Sequence, residues 1–310
     1  MGRRRRSRGR ALNGVLLLDK PADRSSNAAM QRVRVLFNAV KAGHGGSLDP
    51  LASGMLPILF GESTKFAGGL LDADKQYLTT AALGARSTTG DLEGGLFDHQ
   101  PVPGDVVDRV QAVLPRFIGQ IDQTPPMHSA IKQDGVPLYA LARAGVTVPR
   151  PPRQVVIHAL ECLACDGDRL TLRVRCSKGT YIRTLVEDLG AALGCNAHVR
   201  TLRREWVHPF DAGAMVSLDA IEAARDAGPP ESLDNVLLPI DSGLVDLPVY
   251  QLGSEAERAV FQHGNLLDID NPPVADECPF RVYHGGDFLG VAHCRNGRLR
   301  PMRLLKRPTA

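Results

Sequence analysis

The chain has 310 residues, 43% hydrophobic and 23% charged, an ordinary globular composition on a length that calls for a main domain and a smaller one. Its formal charge of +3 is uneven, because without the six arginines of the first ten residues 31 basic residues face 34 acidic ones, a balance of −3. These figures exclude a disordered chain and a uniformly basic surface, and no stretch approaches the roughly 18 apolar residues of a membrane-spanning helix.

Residues 1–10, with Arg3, Arg4, Arg5, Arg6, Arg8 and Arg10, read as a disordered basic arm. The apolar run after it, Val15 to Leu18, stops at Asp19-Lys20-Pro21 and is too short for a signal peptide, so a cytoplasmic protein is expected. Gly14 to Leu18 predicts a buried strand. Ser25 or Ser26 then caps a helix whose apolar residues Ala29, Val33, Leu36, Phe37 and Val40 recur at helical spacing. The segment that follows, GHGGSLDPLASGMLPILFGESTKF (Gly43 to Phe66), holds too much Gly and Pro for one regular element and too much Leu, Met, Ile and Phe for an exposed loop. It is expected to be a shaped loop clamped on the core, with Asp49 at its centre.

Gln76 to Leu83 predicts a strand, and Gly90 to Gly104 an acidic loop rich in Gly and Pro. Residues 124–153 carry Pro125, Pro126, Pro137, Pro149, Pro151 and Pro152 around a helical patch at Leu138 to Ala142, a length usual for a lid or binding loop. Leu170, Leu172, Val174 and Cys176 alternate with Arg173 and Arg175, which gives a half-buried strand with a basic outer face. Ile182, Leu185, Val186, Leu189 and Leu193 then form one face of a helix that Gly194 stops. Arg183 falls in the first turn of that helix, where a cation opposes the dipole and should face an anion. A further helix, Ser217 to Ala227, leads to a break near Leu247-Pro248. Beyond it, Asn296-Gly297 marks a hairpin in a small basic barrel of roughly sixty residues.

The common catalytic patterns are absent. Gly61 to Lys65 lacks the order of a phosphate loop, Gly45 to Asp49 lacks the closing glycine of a nucleophile elbow, and Cys162/Cys165 has no partner pair at zinc-ligand spacing. No cofactor and no metal is expected, and the scattered cysteines read as reduced thiols. On residues alone Asp49 is a turn or cap residue before it is a catalytic one.

Four stretches, GVLLLDKP, GHGGSLDPLASGMLPILFGESTKF, DKQY and SKGTYIRTL, resemble in order and spacing the TruB family, tRNA pseudouridine synthases that act on the T-loop uridine at position 55. The likeness runs from Gly14 onward and implies an α+β pseudouridine synthase fold, with a mixed, largely antiparallel sheet, flanking helices and a small C-terminal PUA-like β-barrel. It implies a catalytic domain at 11–246 with a mobile thumb at 124–153, and an RNA-binding domain at 247–310. By position in those motifs, Asp49 is the catalytic aspartate, Arg183 its partner and Tyr77 the tyrosine that stacks on the target base. His44 would help open the T loop and Leu202 would lie against the bound uracil. Lys20, Lys65, Lys132 and Arg143 are assigned to substrate binding.

The resemblance further implies a cofactor-free monomer that contacts the T arm and the acceptor end of tRNA, with no guide RNA. Whether Asp49 attacks ribose or ring, or takes a proton, stays open, as does a role mainly in assisting tRNA folding. Three departures stand out: Gly46 where threonine is common, Asp23 where glycine is common, and His128 in place of a thumb tyrosine.

Overall fold

A computed structural model of the protein describes residues 9–269 and 271–306. In chain order come strand β1 (Gly14–Lys20), helix α1 (Ser26–Leu36), strands β2 (Ala42–His44) and β3 (Ser53–Phe60), helix α2 (Ala67–Asp72) and strand β4 (Lys75–Leu83). A small hairpin of β5 (Arg86–Ser87) and β6 (Leu96–Phe97) leads to α3 (Val106–Val113) and β7 (Gly119–Gln123). A second hairpin, β8 (Lys132–Gln133) and β9 (Val136–Pro137), precedes α4 (Leu138–Arg143). Then follow β10 (Arg153–Asp166), β11 (Arg169–Cys176), α5 (Ile182–Leu193), β12 (Ala197–Val207), β13 (Val216–Ser217) and α6 (Leu218–Ala227). The C-terminal part holds β14 (Val249–Gln251), α7 (Glu255–Gln262), β15 (Leu267–Asp268), β16 (Pro279–His284), β17 (Asp287–Arg295) and β18 (Arg298–Leu304).

Among the described residues the main sheet runs β13-β1-β3-β12-β4-β11-β10-β7, with β2 beside β3. Its β1–β13 and β3–β12 pairs are parallel and the others antiparallel, the mixed sheet expected. Val15–Leu18 of β1 and Met55–Phe60 of β3 are apolar without alternation because both faces are covered. Leu16, Leu18, Leu56, Ile58 and Phe60 pack in one core with α1, α3 and α5, while Val15, Leu17, Met55 and Leu59 pack on the other side with Leu70, Val207 and Phe210. Each fully buried leucine contributes roughly 1.5–3 kcal/mol. Pro57 is tolerated inside β3 because it lies where the neighbours change, β12 pairing with residues 53–54 and β2 with 58–60.

Ser25 caps α1 by accepting from the Ala28 amide at 3.1 Å, and Asn38 at φ +49° turns the chain away after it. Val40, expected on the helix's apolar face, therefore lies beyond the helix and is 37% exposed. Helix α5 ends at Gly194 in the left-handed region, as its sequence predicts. Cys162 and Cys165 lie on β10 and pack against the main core.

The C-terminal sheet runs β14-β16-β17-β18-β15 over its own core of Phe261, Phe280, Val282 and Leu299. Among the described residues its outer strands, β14 and β15, do not pair with each other, so the expected small barrel is open on one side. Asn296 (φ 52°) and Gly297 (φ 70°) form its hairpin turn. The sheet is seated on the main domain where the Phe66 and Phe288 rings lie 5.5 Å apart and Arg281 meets Asp241 at 2.9 Å. Arg10, assigned above to the basic arm, is instead fastened to Asp234 and to Glu231 at 3.0 Å; the arm's other arginines lie outside the described residues. Among the described residues no helix is long and apolar enough to cross a membrane.

Gly54 has φ +100°, and a Cβ there would stand 2.2 Å from the Arg204 carbonyl, where β3 crosses close to β12. Gly54→Ala is expected to cost about 2–4 kcal/mol from overpacking and left-handed strain. Gly68→Ala, into open space on α2, should be neutral or stabilising by up to about 1 kcal/mol. Urea unfolding of both variants checks the contrast.

Candidate active site

The loop between β2 and β3 carries Asp49, and side chains from three directions hold its backbone. The Ser26 hydroxyl accepts from the Leu48 amide at 2.7 Å and donates to the Leu48 carbonyl at 3.0 Å. Lys20 Nζ donates to the carbonyls of Pro50 (3.3 Å), Pro21 (2.8 Å) and Arg24 (2.6 Å). From β12 the Arg204 guanidinium reaches the carbonyls of Gly46 and Ser47. The loop is thus irregular in shape but not loose.

Opposite it stands Arg183, in the first turn of α5. Its Nε lies 2.9 Å from Asp49 Oδ2, Nη1 donates to the Thr89 carbonyl at 2.8 Å and Nη2 to the His128 carbonyl at 2.7 Å. The anion expected at this helix start is present, and a second one, Asp91, stands 3.8 Å from the same Nε. Asp91 is buried and takes hydrogen bonds from Thr89 Oγ1 and from the Glu93 amide at 3.1 Å. In sequence Asp91 was one acid in an acidic loop. What singles it out is a bridge to Val199, which draws that loop against β12.

Burial pushes the Asp49 carboxyl above the ordinary aspartate range; Arg183 opposes this and Asp91 adds to it. The side chain is nevertheless 38% exposed, opening into the cavity, while that of Arg183 is 5% exposed. Burial, then Arg204, lowers His44, so its imidazole is neutral at physiological pH. Burial chiefly raises the Tyr77 phenol.

The cavity has a volume of about 670 Å³ and brings together Asp49, Arg183, Tyr77, His44, Leu202 and Arg143. Tyr181 and Tyr139 also line it, the latter with Arg143 5.6 Å over its ring. Neither tyrosine was singled out in the sequence, although Tyr181 stands two residues before Arg183.

Three residues assigned to substrate binding lie elsewhere. Lys20 is fully buried, with its ammonium donating to three carbonyls, one of them in the Asp49 loop; that burial lowers its pKa to about 8. Lys65 pairs with Glu62 and donates to the Leu304 carbonyl at 2.6 Å, which ties the C-terminal sheet to the main domain. Lys132 is exposed on β8 and lines a separate groove with Arg150 and Arg153. The departures at Asp23 and His128 have local explanations. Asp23 sits at φ +63°, where glycine is most at ease, and His128 contributes its backbone carbonyl, which any residue supplies.

Since the folded state holds the Asp49 proton more tightly than the unfolded chain, this group's contribution to stability grows as pH falls through its folded pKa towards the unfolded value. Carboxyl NMR titration should place Asp49 above the ordinary value of about 3.9, and higher still in Arg183→Gln, which removes the opposing charge. An ordinary or depressed value, unmoved by that substitution, contradicts this electrostatic account.

The family described as TruB family pseudouridylate synthase (N terminal domain) matches residues 34–182. The tRNA pseudouridylate synthase B C-terminal domain matches 183–245, and Pseudouridine synthase II TruB, C-terminal, matches 252–305. Among curated proteins, the tRNA pseudouridine synthase B of Ectopseudomonas mendocina (strain ymp) is 50% identical over 305 residues, covering 96% of each chain. That of Pseudomonas fluorescens (strain Pf0-1) is 50% identical over 299 residues, covering 96% of this chain and 97% of its own. Among solved structures, a chain of a Cbf5-Nop10-Gar1 complex superposes with a TM-score of 0.70 at 24% identity, covering 94% of this chain and 84% of that one. A chain of an H/ACA RNP bound to a substrate RNA containing 2′-deoxyuridine gives 0.72 at 22%, covering 98% and 92%. At such identities the likeness speaks to the fold, an α+β pseudouridine synthase fold with a PUA-like C-terminal sheet. With matches along its length and half-identity to curated members, the chain belongs to the TruB family of pseudouridylate synthases.

Proposed function

We propose that the protein isomerises the T-loop uridine of tRNA, at position 55, to pseudouridine, with Asp49 as the catalytic carboxylate. The observation that carries this reading is the Asp49–Arg183 contact of 2.9 Å at the wall of a cavity of about 670 Å³, within the size range of small-ligand pockets. The relatives' name supplies the substrate class.

The reaction breaks the N1–C1′ bond of uridine, turns the ring and forms a C5–C1′ bond. A proton leaves C5 and one is gained at N1, so the exchange is redox-neutral and the product has the composition of the substrate. The residues divide that work. A uridine inside a folded loop must first leave its stack, which costs on the order of a few kcal/mol. The Tyr77 ring offers a face for the extruded base, Leu202 closes the apolar side against water, and Arg143 stands at the cavity wall for phosphate or carbonyl oxygens. Asp49, oriented by the Arg183 Nε–H, serves as nucleophile or base, and its partial exposure lets it reach the nucleotide.

The insert 124–153 acts as a thumb that closes on the stem-loop. The contact between its His128 carbonyl and Arg183 supports this, because closing the insert and ordering the catalytic pair then involve the same guanidinium. Residues 11–246 form the catalytic domain and 247–310 an RNA-binding domain, whose exposed Arg300 and Arg303 on β18 suit the acceptor end. The protein works as a cytoplasmic monomer that contacts tRNA directly, without guide RNA. Half-identity to relatives named for tRNA favours this over the guide-dependent arrangement, whose likeness is one of fold.

Incubating the purified protein with unmodified tRNA, with no added RNA or cofactor, and mapping pseudouridine at base resolution tests the proposal. One modified T-loop uridine is expected, and none in a tRNA with cytidine at that position. Modification elsewhere rejects the site, and tight binding without modification favours a protein that assists tRNA folding.

A further inference from the structure

Lys20, Lys75, Arg183 and Arg204 are all buried. Arg183 has carboxylates beside it, whereas no ion pair forms at Lys20, Lys75 or Arg204 among the described residues, and backbone carbonyls accept their hydrogen bonds. Lys75 closes the end of α2, donating to Leu70 and Leu71 at 3.2 Å each and to Ala73. Arg204, 1% exposed, is the largest fully buried side chain among the described residues. A buried cation without a counter-ion is a costly choice, and an apolar side chain would fill a place in β12 more cheaply. Its contacts show what the charge is used for.

Arg204 Nε donates to the Met55 carbonyl at 2.7 Å, Nη1 to Ser47 at 3.2 Å and Nη2 to Gly46 at 3.1 Å. Gly46 and Ser47 lead into Asp49 and Met55 leads away from it, so one planar fork ties both ends of the loop. Because a peptide's N–H opposes its C=O, drawing the Gly46 and Ser47 carbonyls towards Arg204 turns the amides of Ser47 and Leu48 the other way. The Leu48 amide there meets Ser26, and Ser47 lines the cavity. Gly46, at φ +122°, makes that direction accessible to its carbonyl. Arg204 is also the ladder partner of Tyr77, so the same residue backs the carboxylate loop and the aromatic floor.

We propose that Arg204 is a positioning residue for the isomerisation, its fork on the Gly46, Ser47 and Met55 carbonyls setting the direction in which Asp49 leaves the loop towards Arg183 and the nucleotide. This rests on the function proposed above. Lysine keeps the charge but cannot span three carbonyls with a planar fork, so Arg204→Lys separates geometry from charge.

The test uses the full chain as wild type, Arg204→Lys and Arg204→Gln, with tRNA carrying tritium at uridine C5, the hydrogen lost when C5 bonds to C1′. Thermal midpoint, tRNA Kd and single-turnover tritium release are measured for each. The Lys variant should fold and bind within about threefold of wild type but release tritium about 30-fold or more slowly, with Gln slower still, as displaced catalytic groups do. A folded Lys variant with wild-type release overturns the proposal. Collapse of folding, or binding and rate falling together in both variants, also overturns it, because that marks a merely structural cation. Absence of release by wild type rejects the underlying function instead.

Discussion

A single guanidinium governs how the site is assembled. Arg183 is nearly excluded from water, and a buried cation is stable only when its donors are satisfied and its charge is met. Its partners come from three separate segments: Asp49 from the β2–β3 loop, Thr89 and Asp91 from the β5–β6 loop, and His128 from the insert. These segments are far apart in sequence, so the site exists only once α5 is seated against the sheet. Removing one partner of a fully buried pair costs about 3–5 kcal/mol. At Asp49 the figure is smaller, because its carboxyl opens to the cavity.

That opening creates the tension the site uses. Burial and the neighbouring Asp91 favour a protonated Asp49, while Arg183 favours the carboxylate, and the net effect is upward. A carboxylate held against its own desolvation is more basic than one in water, which suits either role open to Asp49. Its direction must then be fixed by the backbone, since the pull of Arg183 alone is opposed. Ser26, Lys20 and Arg204 do this, each bonding the main chain next to Asp49 rather than its carboxyl.

Much of the fold was legible because its signals are local. The buried strand at Gly14, the cap at Ser25, the stop at Gly194 and the turn at Asn296-Gly297 each follow from a few neighbouring residues. By contrast Ser53–Phe60, expected within one shaped loop, is a central strand whose partners β1, β2 and β12 come from elsewhere in the chain. Of the site, Arg183 could be read from helix electrostatics alone, whereas Asp49, Tyr77, His44 and Leu202 were singled out through resemblance to a family. Asp91 and Arg204 were not found, because their significance lies in long-range pairings of β12. Lys20, Lys65 and Lys132 lie outside the Asp49 cavity, which the sequence did not foretell, because a lysine reads the same whether it faces phosphate, a carbonyl cage or another domain. Burial decides between these, and burial is a tertiary property.

The central claim is that Asp49, held by Arg183, carries out the bond exchange and contributes little to tRNA binding. Asp49→Asn preserves shape and one acceptor oxygen while removing the charge, so measuring its tRNA Kd and its single-turnover C5 tritium release together gives the most direct test. The account predicts binding within about threefold of wild type and no detectable release. Release at a rate near that of wild type, or loss of binding in proportion to loss of release, would contradict it.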